Sequence, residues 1–177
     1  MPDQISFTCG SFTGVIGAVV KYQGCILDEV VPAMEALRGK CDLRIIDFES
    51  SLPIDFTPDF LLIPGGSCDQ AIHHEELLKM IRGVDSRTGM LAGICNGALI
   101  LASAGVLKGR SCTHTAHPKY APLPKFKELL EAAGPLFSGS AYVDEDVVIS
   151  KHVITAKPWA SNEFAKAILE KLDLPNH

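Results

Sequence analysis

The chain alternates between two patterns. Short runs with almost no polar residue are followed by stretches in which apolar residues recur every three or four positions. Residues 15–22 (VIGAVVKY), 43–48, 59–63 and 89–94 are of the first kind and predict strands buried on both faces. Residues 28–37, 71–81, 97–104, Pro124–Ala133 and Ser161–Leu172 are of the second kind and predict helices. Pro32 fits only near the start of its helix, where a missing N–H costs little. Gly105 is a stop signal, and Ser161 a candidate cap with an imperfect acidic partner. Residues 111–121 read as irregular loop. Short strands follow at 142–143, 147–149 and 153–155, with 144–146 as a hairpin turn. Strand–helix alternation with wholly apolar strands implies a mostly parallel sheet covered by helices on both faces, an α/β/α sandwich. Sites in such sheets lie beyond the carboxyl ends of the strands.

Composition narrows the function classes. The length of 177 residues suits one α/β domain spanning the chain, with residues 1–13 an extra edge strand or a loose tail. Apolar residues make up 47% and the net charge is −5, without a basic stripe, which disfavours nucleic acid and anionic membranes as partners. The longest apolar runs fall short of a membrane span, and the N-terminus lacks the pattern of a secretory signal. The expectation is a soluble, cytoplasmic protein. Its six cysteines are spread out rather than set in a dense framework, so free thiols are expected.

One of those thiols sits at a hinge. Gly93-Ile94-Cys95-Asn96-Gly97 has the form G-x-C-x-G between a predicted strand and a predicted helix. This is a thiol version of the nucleophile elbow, whose glycines allow helix and strand to approach closely. A helix N-terminus at Cys95 is expected to favour the thiolate and lower its pKa. The Asn96 N–H and a second N–H from Pro64-Gly65-Gly66, assigned to Gly66, are the expected oxyanion donors, with Gly65 lining the pocket. The alternative is an inert core cysteine beside a tight turn.

The segment AGICNGALILASAGVLKGR resembles the nucleophile region of the ThiJ/PfpI superfamily, which includes protein deglycases, PfpI-type peptidases and isonitrile hydratases. DEVVPAMEAL resembles its first helix, DFLLIPGG its glycine turn, and SNEFAKAILEKL its last helix. The resemblance implies a flavodoxin-like fold, a homodimer, no cofactor or metal, and a small-molecule substrate. It also implies that the acid four residues before the proline, here Asp28, is protonated and hydrogen-bonds the cysteine. Glu29 reads as a simple first-turn acid.

The superfamily often carries a histidine after its LKGR segment. Here the candidates are His114 and His117, as proton shuttles beside Cys95 or as exposed loop residues. Cys112, His114 and His117 also form a weak metal-ligand pattern without an evident fourth partner. Trp159 falls in a loop that the resemblance places at the pocket, or else packs in the core. PfpI-type peptidases carry histidine directly after the cysteine, where this chain has Asn96, which weakens a peptidase reading. Two function classes lead, ahead of a weaker third in which the chain is a non-catalytic dimeric scaffold with an unreactive Cys95. One is a cofactor-free cysteine enzyme acting on a small electrophile such as a 2-oxoaldehyde or an isonitrile. The other is a redox-responsive protein whose Cys95 is oxidised to sulfinate without turnover.

Overall fold

Four of the apolar runs form adjacent strands of one sheet. The computed structural model describes residues 14–174. Strands β1 (Ile16–Lys21), β2 (Asp42–Asp47), β3 (Phe60–Ile63) and β4 (Met90–Ile94) run parallel. The numbering continues with a short pair, β5 (Ser111–Cys112) and β6 (Ala141–Tyr142), and with β7 (Val147–Ser150) and β8 (Val153–Ala156). The order across the main sheet is β2-β1-β3-β4-β8-β7, parallel except for the edge strand β7. Phe60 to Ile63 and Met90 to Ile94 are all buried, as expected for strands covered on both faces.

Helices α1 (Val31–Leu37) and α5 (Ser161–Leu172) cover one face. They bury Val30, Ala33, Leu37, Phe164 and Ile168 against Phe60, Leu62 and Ile94. Helices α2 (Glu75–Ser86) and α3 (Gly97–Ser103) cover the other face, burying Leu77, Ile81 and Ile100 against Leu61, Ile63 and Leu91. Helix α4 (Pro124–Ala133) lies beside this layer: Ala133 joins its core, and Phe126 is edge-on to Tyr120. This is the three-layer, mostly parallel α/β/α sandwich. Among the described residues, no helix is long and apolar enough to cross a membrane.

Several local expectations change. The helix expected over residues 28–37 is broken: a 3-10 turn (Leu27–Glu29) precedes α1, which starts next to Pro32. Residues 71–81 likewise divide into a 3-10 turn (Ala71–His73) and α2, whose cap is His74, its Nδ1 accepting from the Leu77 N–H. Residues 144–146 are not a hairpin turn. β6 pairs parallel with β5, a strand too short to show in the sequence pattern, and the hairpin is β7–β8, turning at Lys151 with φ +56°. Ser161 lies inside α5, whose cap position is Ala160. Residues 1–13 lie outside the described residues. The five described cysteines are free thiols.

The strand order places the connections after β1 and after β3 on opposite sides of the sheet. β1 leads out to β2, and β3 leads the other way to β4. The crevice beyond the carboxyl ends of β1 and β3 is therefore a switch point, where α/β sheets carry their sites. The loops that meet there hold Glu29, Gly65, Gly66 and Cys95.

Candidate active site

Cys95 is the first residue after β4 and has φ +56°, in the left-handed region that costs a non-glycine residue roughly 1 kcal/mol or more. The conformation is held from both sides. The Cys95 N–H donates to the Ala156 carbonyl of β8 at 2.9 Å, and the Cys95 carbonyl accepts from Ala98 N–H at 3.2 Å as α3 begins. Gly93 and Gly97 make the bend possible by closeness rather than by unusual dihedrals. A Cβ on Gly97 would stand 2.2 Å from the Ile63 carbonyl oxygen, and one on Gly93 would stand 2.9 Å from Gly97 backbone. The G-x-C-x-G spacing thus seats α3 directly on β4 and β3, with the thiol projecting from the elbow.

Three groups converge on the sulfur. They are the backbone N–H groups of Asn96 and Gly66, which favour the thiolate, and the carboxyl of Glu29, which disfavours it. Glu29 Oε2 also accepts the Gly65 N–H at 2.6 Å. Gly65 must lack a side chain here, because a Cβ would stand 2.7 Å from both the Cys95 sulfur and Glu29 Oε2. Gly66 has φ +110°, which glycine alone adopts readily, and pairs with Cys25 in an isolated antiparallel bridge.

The acid beside the thiol is Glu29, not Asp28. Asp28 is exposed, whereas Glu29 is half-buried against the glycine turn. Counting four residues back from Pro32 along a continuous α-helix selects Asp28. The chain instead forms a 3-10 turn through Leu27–Glu29, which advances about 120° per residue and carries Glu29 into the crevice. The burial of Val30 beside exposed Val31 fixes that rotation.

The electrostatics also depart from expectation. Burial, and then the negative Glu29 carboxylate, push the Cys95 thiol up to about 12, against the pull of the Asn96 and Gly66 amides. A short helix, Gly97–Ser103, does not outweigh these two effects. Burial likewise holds the Glu29 carboxyl above its ordinary value. The result is a proton held between two groups, each a poor place for negative charge. Of the two conjugate bases the thiolate is the stronger base and the stronger nucleophile, and the Glu29 carboxylate is the neighbouring group that can take the thiol proton during attack.

The histidines are drawn together elsewhere. His114 is buried and stacked on Phe137 at 3.5 Å between centroids, and His117 is stacked on Tyr142 at 3.7 Å. Among the described residues, no hydrogen bond or ring contact joins either of them to Cys95. Burial pushes the His114 imidazole down to about 4, which keeps it neutral, and also lowers His117. Cys112 Sγ lies 3.4 Å from Ser140 Oγ, and the described residues hold no cluster of three metal-ligating side chains. Trp159 is exposed, its Nε1 donating to Asp146 at 2.9 Å, with its ring edge-on to Tyr120. Beside it, buried Lys157 pairs with Asp144 at 2.8 Å. No periodicity pointed to that ion pair. A cleft of about 680 Å³ between residues 47–58 and α2, and one of about 340 Å³ beside His114, are not lined by Cys95.

The comparisons with known proteins give the family and the fold in which this cysteine elbow is set. Residues 15–171 match the DJ-1/PfpI family. The chain belongs to the DJ-1/PfpI family. Relatives in this family include Protein DJ-1 homolog D of Arabidopsis thaliana, 31% identical over 62% of this chain and 34% of that protein. The Glutathione-independent glyoxalase DJR-1.2 of Caenorhabditis elegans is 31% identical over 67% of this chain and 58% of that protein. The matched stretches thus span less than two thirds of either relative. The crystal structure of Drosophila melanogaster DJ-1beta shares the fold, with a TM-score of 0.71, 23% identity, and coverage of 90% of this chain and 91% of that one.

Proposed function

We propose that this DJ-1/PfpI protein is a cofactor-free cysteine enzyme that converts a small 2-oxoaldehyde to the hydroxy acid. The observation that carries the reading is the left-handed Cys95, with two backbone N–H groups and a half-buried carboxylate on its sulfur. In the first step the thiol proton passes to Glu29 as sulfur attacks the aldehyde carbon. A raised carboxyl pKa makes Glu29 a competent acceptor, because it narrows the gap to the thiol. The carbonyl π electrons move to oxygen, and the Asn96 and Gly66 N–H groups are the donors available to that oxyanion. Glu29 returns its proton to the oxyanion to complete the hemithioacetal, and a proton shift from C1 to C2, with the hydroxyl proton passing to the former keto oxygen, gives the thioester of the 2-hydroxy acid. Water then cleaves it, releasing the hydroxy acid and the thiol. For methylglyoxal the sum is substrate plus water to lactate. The glyoxalase name of the nematode relative supports this choice of electrophile.

Purified protein without added thiol or metal is expected to form lactate from methylglyoxal, and Cys95→Ser to abolish it, since an alcohol is a far weaker nucleophile at this seat. Hydration of a simple isonitrile to the formamide, with no lactate from methylglyoxal, would replace the substrate class. Inertness to both, with stepwise oxygen uptake at Cys95 under dilute peroxide, would favour the redox-responsive reading over turnover.

A further inference from the structure

The Pro64–Gly66 turn faces the site with its N–H groups, and something must aim them. Each peptide unit is planar and trans, so its N–H points opposite to its C=O. The Gly65 N–H therefore points away from the Pro64 carbonyl, and the Gly66 N–H away from the Gly65 carbonyl. One side chain holds both of those carbonyls. The Tyr22 hydroxyl, at the end of β1, shares its proton between Pro64 O at 2.9 Å and Gly65 O at 2.8 Å. Tyr22 is only 4% exposed, and its ring packs in the core beneath the turn. The Ile26 N–H assists on Gly65 O at 2.9 Å, and Asn96 Nδ2 holds the next carbonyl, Gly66 O, at 2.8 Å.

We propose that Tyr22 is a positioning residue of this site, clamping two consecutive carbonyls so that the Gly65 and Gly66 N–H groups face Glu29 and Cys95. The proposal rests on the reading of Cys95 as the nucleophile for its effect on turnover, but not for its effect on the turn. Core packing alone would be served by phenylalanine. A buried hydroxyl is costly to place unless bonded, and this one spends its only proton on the back of the turn. Nothing else hydrogen-bonds Pro64 O among the described residues, so loss of the hydroxyl frees the peptide plane that carries the Gly65 N–H.

The test is Tyr22→Phe in the full chain. Amide exchange read by NMR is expected to speed up by ~10-fold or more at Gly65 and Gly66, with core amides such as Leu62 unchanged. The pH profile of Cys95 alkylation by iodoacetamide is expected to move to higher pH, because the thiolate loses a well-aimed donor. With methylglyoxal, kcat is expected to fall ~10- to 100-fold with KM nearly constant, since the donors matter most in the transition state. Should the phenylalanine variant fail to fold, 3-fluorotyrosine placed at position 22 keeps the packing and strengthens the donor. It is expected to slow exchange at Gly66 and move the alkylation profile to lower pH. Unchanged exchange at both glycines, or an alkylation profile that follows neither substitution, would overturn the clamp. An unreactive wild-type Cys95 together with faster Gly66 exchange in Tyr22→Phe would overturn the nucleophile instead and leave the clamp standing.

Discussion

Glu29 and Asp28 are adjacent acids with opposite surroundings, and they make a clean pair of variants. Replacing Glu29 with glutamine removes the negative charge that raises the Cys95 thiol while keeping the size of the side chain. The pH midpoint of Cys95 alkylation is expected to move down from its high wild-type position. Turnover, in contrast, is expected to fall ~100-fold or more, because the proton acceptor is gone. Asp28→Asn, at an exposed position, is expected to change neither. An alkylation profile that shifts with Asp28 and ignores Glu29 would return the role to Asp28. The residue scale is also where the sequence was hardest to read. Cys95 stood out through its glycines, and Asn96 and Gly66 through their places beside it and at the end of β3. The choice between two consecutive acids depended on a 3-10 turn, whose rotation no periodicity encodes. The histidine-rich segment misled for a related reason. Residue type suggested chemistry, but burial and ring stacking decided where His114 and His117 went.

The helices and long strands were legible because each repeats its pattern over enough residues to average out exceptions. Pro124–Ala133 and Ser161–Leu172 emerge with the bounds that the apolar spacing gives. The two-residue strand β5 did not emerge and β6 emerged one residue late, at 142–143, since pairing across the chain makes them strands and local composition does not. At this scale the elbow depends on close contact between elements. Gly97→Ala would force a Cβ against the Ile63 carbonyl, a backbone atom that cannot rotate away. The expected cost is ~1–3 kcal/mol, read as a lower urea midpoint with an unchanged slope. Because the same push displaces the chain leading into Pro64–Gly66, lactate formation is expected to drop even at temperatures where the variant remains folded. Full activity at reduced stability would uncouple α3 seating from the oxyanion donors.

For the molecule as a whole, stability in mild acid should follow His114. The unfolded chain binds a proton on this imidazole near 6.5, the folded chain only near 4. Between those values the unfolded state holds more protons. Stability is therefore whole above about pH 6.5, declines as the pH falls to about 4, and is then level, a loss of about 3 kcal/mol at most. Glu29 tilts the other way, since a raised carboxyl pKa favours the folded state in acid and loses that benefit as the pH rises. Urea unfolding at several pH values should separate them. His114→Leu is expected to flatten the decline between about pH 6.5 and 4 relative to the parent chain. A decline of the same depth in both proteins would assign acid sensitivity to other groups.

The hydrogen bond from the Cys95 amide to Ala156 has a consequence during synthesis. The ribosome makes the elbow long before it makes β8, and strand β4 has no neighbour on that side until the chain has passed the intervening helix α4 and hairpin strand β7. Parallel pairing across so long a connection forms late. A nascent chain that already displays Cys95 therefore lacks the partner that holds its backbone in the left-handed turn. The thiol acquires its proposed reactive geometry only when β8 docks, so premature termination before Ala156 should yield fragments without the site.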